Sequence, residues 1–191
     1  QYDSRFPNNF IHTNKGVTWG AYLQYAKNKK KTPTAAEFLL MPKGVWTDIM
    51  KTLFWDVIKG DQIQSQPIAE YLFEAQWGGG GANLVRELQK YINQVSATKI
   101  PVTGKVTEQT YTAINRILNT AKKQIPAIEY LTKKRLEYLQ GLSDWVNYGK
   151  GWTNRLNKLR EKAMQLLKMQ AIWMNWWTFA AIGAGAFFFK K

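Results

Sequence analysis

Cysteine is absent from the whole 191-residue chain, and histidine occurs once, as His12. Disulfides, thiolate metal sites and cysteine nucleophiles are therefore excluded, and a metal site would have to be built mostly from carboxylates. Carboxylates are themselves scarce: thirteen Asp and Glu stand against twenty-seven Lys and Arg, a formal net charge of +14. That balance favours polyanions, whether nucleic acid, anionic lipid headgroups or an acidic cell-wall polymer. Asp3 is the only acid in the first thirty-six residues. No alternating apolar run is long enough for a central sheet, no repeat period shows, and no metal or organic cofactor is expected.

What is present reads as helix. The length allows one compact core plus an appendage rather than two full-size domains. "HTNKGVTWGAYLQY" places a polar, glycine-hinged turn ahead of an aromatic amphipathic helix. In "TPTAAEFLLM", Thr34 with Glu37 three residues later forms a capping box. "GVWTDIMKTLFWDVIKGD" repeats Val45, Ile49, Leu53, Phe54, Val57 and Ile58 at helical spacing and stops at Gly60. "PIAEYLFEAQW" carries Pro67 in its first turn and ends at the glycines 78 to 81. "ANLVRELQKYINQV" and "TEQTYTAINRILNTAKK" are two more amphipathic helices, flanking "ATKIPVTGKV", a candidate small hairpin.

Three chemical motifs fail inspection. The "GGGG" run lacks the following Gly-Lys-Ser/Thr and the preceding strand of a phosphate loop. His12 has no second histidine, and Glu70 and Glu74, four apart, read as a wet helix surface.

The end of the chain differs from the rest. "AIWMNWWTFAAIGAGAFFF", 171 to 189, holds no charge, is bounded by Lys168 and Lys190-Lys191, and at about 1.5 Å per residue reaches roughly 28 Å. A transmembrane helix is expected there, with Ala180, Ala181, Gly183, Ala184 and Gly185 allowing close approach of other transmembrane helices. Before it, Leu156, Leu159, Ala163, Leu166 and Leu167 alternate with Lys and Arg, a pattern that fits an amphipathic helix on a membrane surface.

Five segments carry a resemblance: Thr13 to Thr18 in "TNKGVT", Trp55-Asp56, Leu88-Gln89, Gly104 to Thr110 in "GKVTEQT", and Gly151 to Arg155 in "GWTNR". In this order they resemble the glycoside hydrolase family 108 lysozymes with their C-terminal peptidoglycan-binding region, over roughly residues 7 to 160. The resemblance implies that the Thr-Asn-Lys-Gly-Val-Thr turn walls a glycan cleft. It also implies a catalytic glutamate in a Glu-Gly-Gly-Tyr motif some fourteen or fifteen residues earlier, a position before Gln1. The family's Asn-Asp stretch aligns with Asn8-Asn9, an amide where an aspartate is expected. Glycoside hydrolysis commonly uses two carboxyl groups, and Asp3 is the one candidate catalytic residue near this site.

Glycan binding asks for aromatic faces beside hydroxyl and amide groups, and Thr13, Asn14, Thr18, Tyr22 and Trp77 offer that mixture. Trp152 reads as a structural anchor, and Asp56 and Asp61 as cap and turn residues. The expected architecture is all-α: a lysozyme-like glycan-cleft domain over 1–78, a helical peptidoglycan-binding region over 79–160, and an amphipathic helix with a transmembrane anchor over 161–191. The expected protein is membrane-anchored in the bacterial envelope, of phage or cellular origin, with its soluble part periplasmic or facing the cell wall. Its expected partners are peptidoglycan glycan strands, with hydrolysis of the β-1,4 bond after N-acetylmuramic acid only if a glutamate lies upstream. A structural subunit of a membrane complex, or a basic nucleic-acid- or lipid-binding protein, is the alternative, with nucleic acid the less expected partner.

Overall fold

The computed structural model describes the backbone of residues 13–187 and the side chains of residues 13–172. Asp3, Asn8-Asn9 and His12 lie outside the described residues. The chain groups into two compact units, 1–60 and 61–191. Residue 78, where sequence alone divided the chain, falls at the C-cap of a helix within the second unit.

The first unit opens on a hairpin of two short antiparallel strands, β1 (Thr13–Asn14) and β2 (Val17–Thr18), with Thr13 opposite Thr18. Its two turn residues, Lys15 and Gly16, both have positive φ, 48° and 79°, the combination that a tight two-residue hairpin requires. The chain continues through α1 (Trp19–Asn28), α2 (Ala35–Leu40) and α3 (Lys43–Ile49). Val17, Tyr22, Ala26, Phe38, Met41 and Ile49 are fully buried, and Trp19 stacks on Tyr22 with ring centres 5.3 Å apart. After α3 the backbone widens into a π-helical turn, Met50–Trp55, which carries the Asp56 amide to the Lys51 carbonyl at 2.8 Å. The helical run ends at Trp55 rather than at Gly60, which instead opens a short 3-10 turn, Gly60–Gln62, and whose missing side chain leaves room for the Trp55 indole.

The second unit is a bundle of α4 (Gln66–Trp77), α5 (Gly81–Val95), α6 (Glu108–Ile117), α7 (Ala121–Gln140) and α8 (Trp145–Phe187). Ser65 caps α4, its hydroxyl accepting from the Ile68 amide at 3.3 Å, with Pro67 in the first turn. Ile68 and Leu72 of α4, Leu84, Leu88 and Ile92 of α5, Ile128 and Leu131 of α7, and Leu156, Ala163 and Leu167 of α8 make one core.

Four expectations change. The small hairpin is Thr13–Thr18, whereas 97–106 forms an irregular loop. The segment read as one helix from 107 to 123 is two, because α6 ends at Ile117 and Thr120 starts α7. The amphipathic stretch 150–168 turns Leu156, Ala163 and Leu167 into the core beside α7 rather than toward a membrane surface.

The expected transmembrane helix is also corrected: among the described residues no helix is long and apolar enough to cross a membrane. The backbone from 171 to 187 continues α8 without a break from Trp145. Up to Ile172 that helix carries Lys150, Arg155, Lys158, Arg160, Glu161, Lys162 and Lys168, the pattern of a helix with one buried face. The side chains beyond Ile172, including the small residues at 180 to 185, lie outside the described residues.

Candidate functional site

The hairpin of the first unit is held by its own polar groups. The Asn14 amide donates to the carbonyls of Phe38 and Leu39, both at 2.8 Å. The Lys15 ammonium donates to the carbonyls of Leu40 and Met41, at 3.3 and 3.0 Å, where the end of α2 leaves acceptors free. From the other side the Trp46 indole donates to the Lys15 carbonyl at 3.1 Å. The turn is thus a fixed platform.

Thr18 caps α1, its hydroxyl oxygen accepting from the Ala21 amide at 3.2 Å. Thr13 and Thr18 face each other across the hairpin, and both are exposed. Tyr22 is fully buried, and its hydroxyl donates to Glu37 while accepting from the Thr34 amide at 3.3 Å. Half of the expected capping box is present, since Thr34 accepts from the Glu37 amide at 3.2 Å. The other half runs through Tyr22, which stands between the Glu37 carboxylate and the Thr34 amide. Of the five candidate glycan contacts, Thr13 and Thr18 therefore offer hydroxyls to solvent, Asn14 and Tyr22 hold the frame, and Trp77 stands in the second unit.

Two carboxylates stand here outside the site residues expected from sequence, Glu37 having been expected only as part of a cap. Glu37 pairs with Lys31 at 2.5 Å as well as with Tyr22, and Asp48 pairs with Lys29 at 2.6 Å and accepts from Tyr25 at 3.1 Å. The Lys31 hydrogen bond, followed by that of Tyr22, holds the Glu37 carboxyl below its ordinary value of 4.5. Lys29 does the same for Asp48, and burial together with Asp48 pushes Tyr25 up to about 12. Asp56 is the remaining acid of residues 13–60, and it pairs with Lys51. Each carboxylate described in this unit thus has a lysine partner. Glu37 and Asp48 favour the ionised form, the wrong state for protonating a leaving oxygen.

A pH dependence follows. The ionised form of Glu37 is the one the fold favours, so its contribution to stability is fully present above the unfolded value near 4.5. It is lost as pH falls through the lowered folded value. Urea midpoints of the wild type and of Glu37→Gln are expected to differ most at neutral pH and to converge as pH falls through the lowered folded value. A constant difference down the acid limb would show that this carboxylate does not titrate with folding.

In the second unit Trp77 is half-buried beneath Arg155, whose guanidinium lies 5.7 Å from the ring centre. The neighbouring Glu74, read from sequence as a wet surface acid, is buried between Arg135 and Arg155. Glu70 pairs with Lys162 at 2.7 Å. Trp152 lies beside Tyr148 and Trp145, with ring centres 5.9 and 6.3 Å away.

Two segments that sequence treated as separate motifs are one hydrogen-bonded assembly. The buried Gln89 amide of α5 donates to the Lys105 carbonyl at 3.0 Å and to the Thr110 hydroxyl at 3.1 Å. Its oxygen accepts from the amides of Thr103 and Gly104, at 2.9 and 3.0 Å. The loop before α6 is therefore read by one glutamine, and Gly104 adopts φ 77° there.

Comparison with known proteins bears on both units. No curated protein sequence matches the chain. A solved structure, "Structure of Brucella abortus SagA", matches with a TM-score of 0.63 and 24% identity, covering 80% of this chain and 79% of that one. At that identity the likeness establishes a shared fold. Residues 11–80, which include the hairpin platform and α1 to α4, match the model of the family described as Glycosyl hydrolase 108.

Proposed function

We propose that the chain is a lysozyme-type, peptidoglycan-acting protein that engages the glycan strand of the bacterial wall through the hairpin platform. The observation that carries this reading is the family match over 11–80, which contains a rigid turn presenting Thr13 and Thr18 outward. Hydroxyls on a fixed backbone suit sugar hydroxyls, since little conformational entropy is lost on contact. The excess of positive charge draws the protein to an acidic wall. Its place of work is the wall-facing side of the envelope, and 79–160 supplies further wall contact.

Hydrolysis of the β-1,4 bond after N-acetylmuramic acid needs a carboxylic acid in protonated form. Glu37 and Asp48 pair with lysines and favour the ionised form, and Asp3 is the candidate acid that the resemblance leaves in this chain. Incubation of the full chain with purified sacculi tests both parts, by the fraction pelleted and the reducing ends released. Pelleting without release fits a wall tether; release abolished by Asp3→Asn would make Asp3 the acid. Failure to pellet would overturn the proposal. The rival reading, a basic polyanion binder, is supported by the +14 charge alone, and its binding would collapse steeply with salt.

A further inference from the structure

The second unit carries an open groove that the hairpin does not use. It lies among the last turn of α5, the end of α6 and the start of α7, with a volume of about 690 Å³. Tyr91, Val95 and Pro126 form an apolar side, and Arg116, Lys122 and Lys123 a charged one. No carboxylate lines it. Val95 is 52% exposed, so its apolar edge is open to a ligand, while Tyr91 is braced by Tyr130 at 5.2 Å between ring centres. Lys123 contacts Asn119 at 3.1 Å, and neither Arg116 nor Lys122 has an acidic partner among the described residues. Lys122 and Lys123 also stand in the first turn of α7, where the helix dipole disfavours ammonium groups, so local helix stability does not account for them.

We propose that this groove holds the stem peptide of peptidoglycan, a short chain bearing several free carboxylates beside alanine methyls. The inference rests on the wall-binding reading above and names a second part of the same polymer. The Arg116 fork suits a carboxylate, the two ammonium groups suit others, and the Val95 and Pro126 side suits methyl groups. A nucleic-acid strand would ask for a row of stacking aromatics, and the groove has one.

The test is a titration of isotope-labelled full chain with the free tetrapeptide L-alanyl-γ-D-glutamyl-meso-diaminopimelyl-D-alanine, followed by amide shifts. Shifts are expected at Val95, Ser96 and 116–123, and Arg116→Ala with Lys122→Ala should weaken binding at least about tenfold. The charge-matched control, Lys133→Ala with Lys158→Ala, removes two exposed cations away from the groove and should leave affinity within about twofold. Absence of groove shifts, equal weakening by the control, or equally tight binding of polyphosphate at the same amides would each overturn the inference. Pelleting with sacculi would survive its failure, which separates it from the failure of the glycan-binding proposal.

Discussion

Glu74→Ala is expected to destabilise the second unit by about 3–5 kcal/mol, the range for stranding buried charges without their partner. Arg135 is 1% exposed, and its guanidinium donates to Glu74 at 2.8 and 3.3 Å and to the Gly79 carbonyl at 2.5 Å. Arg155 adds a second cation, with Nε 3.0 Å and Nη2 2.9 Å from the same carboxylate. Without Glu74, the buried Arg135 guanidinium would keep the Gly79 carbonyl and the Tyr138 face but no counter-charge, while Arg155, its side chain 37% exposed, would turn to water and Trp77. Glu74→Gln keeps the shape and loses the charge, and should fall between the two. Urea unfolding followed by far-UV circular dichroism measures both, and a loss under about 1 kcal/mol for Glu74→Ala would contradict the assignment.

The turn beside this cluster accounts for Gly78, Gly79 and Gly80. Gly79 and Gly80 have φ of 84° and 88°, conformations that favour glycine. A side chain at Gly80 would overlap the Tyr138 ring, and one at Gly78 would come within about 3 Å of both guanidinium groups. The run therefore closes α4 and lets Arg135, Tyr138 and Arg155 approach the turn.

Gln89→Leu should cost about 1–3 kcal/mol, because it takes the partner from the buried Gly104 amide and from the part-buried Thr103 amide, while the Lys105 carbonyl keeps the Thr103 and Thr110 hydroxyls. Unlike Glu74→Ala, the damage is local: amide exchange from 103 to 110 should accelerate while the α7–α8 core stays protected. Gly104→Ala tests the same loop from the other side. Its new Cβ would meet the Ala82 carbonyl at 2.8 Å, and φ would remain 77°. Unchanged exchange in both variants would show that the glutamine does not hold the loop.

Helix content was legible because capping and spacing act within a few residues. Thr34 caps α2 and Pro67 stands in the first turn of α4, as local sterics require. The α6–α7 break was hidden because an apolar period runs across Leu118 to Thr120, whose turn is fixed by Gln124 donating to the Leu118 carbonyl at 2.8 Å. Glu74 was misread because a helix face shows which residues share a side, not what covers them. Arg135 and Arg155 come from 61 and 81 residues away. The terminal apolar run was read from its length and lack of charge, while the helix containing it begins at Trp145 and buries one face in a core. At the candidate site, the hydroxyls of Thr13 and Thr18 were legible, whereas the framing role of Asn14 and Tyr22 depends on contacts with α2 and its cap.

The most direct test of the account is a titration of isotope-labelled full chain with peptide-free glycan strands of alternating N-acetylglucosamine and N-acetylmuramic acid. Saturable amide shifts are expected at Thr13, Lys15, Gly16 and Thr18, persisting at moderate salt and lost in Thr13→Lys. Shifts absent from the hairpin, or present there and abolished by salt alone, would contradict it.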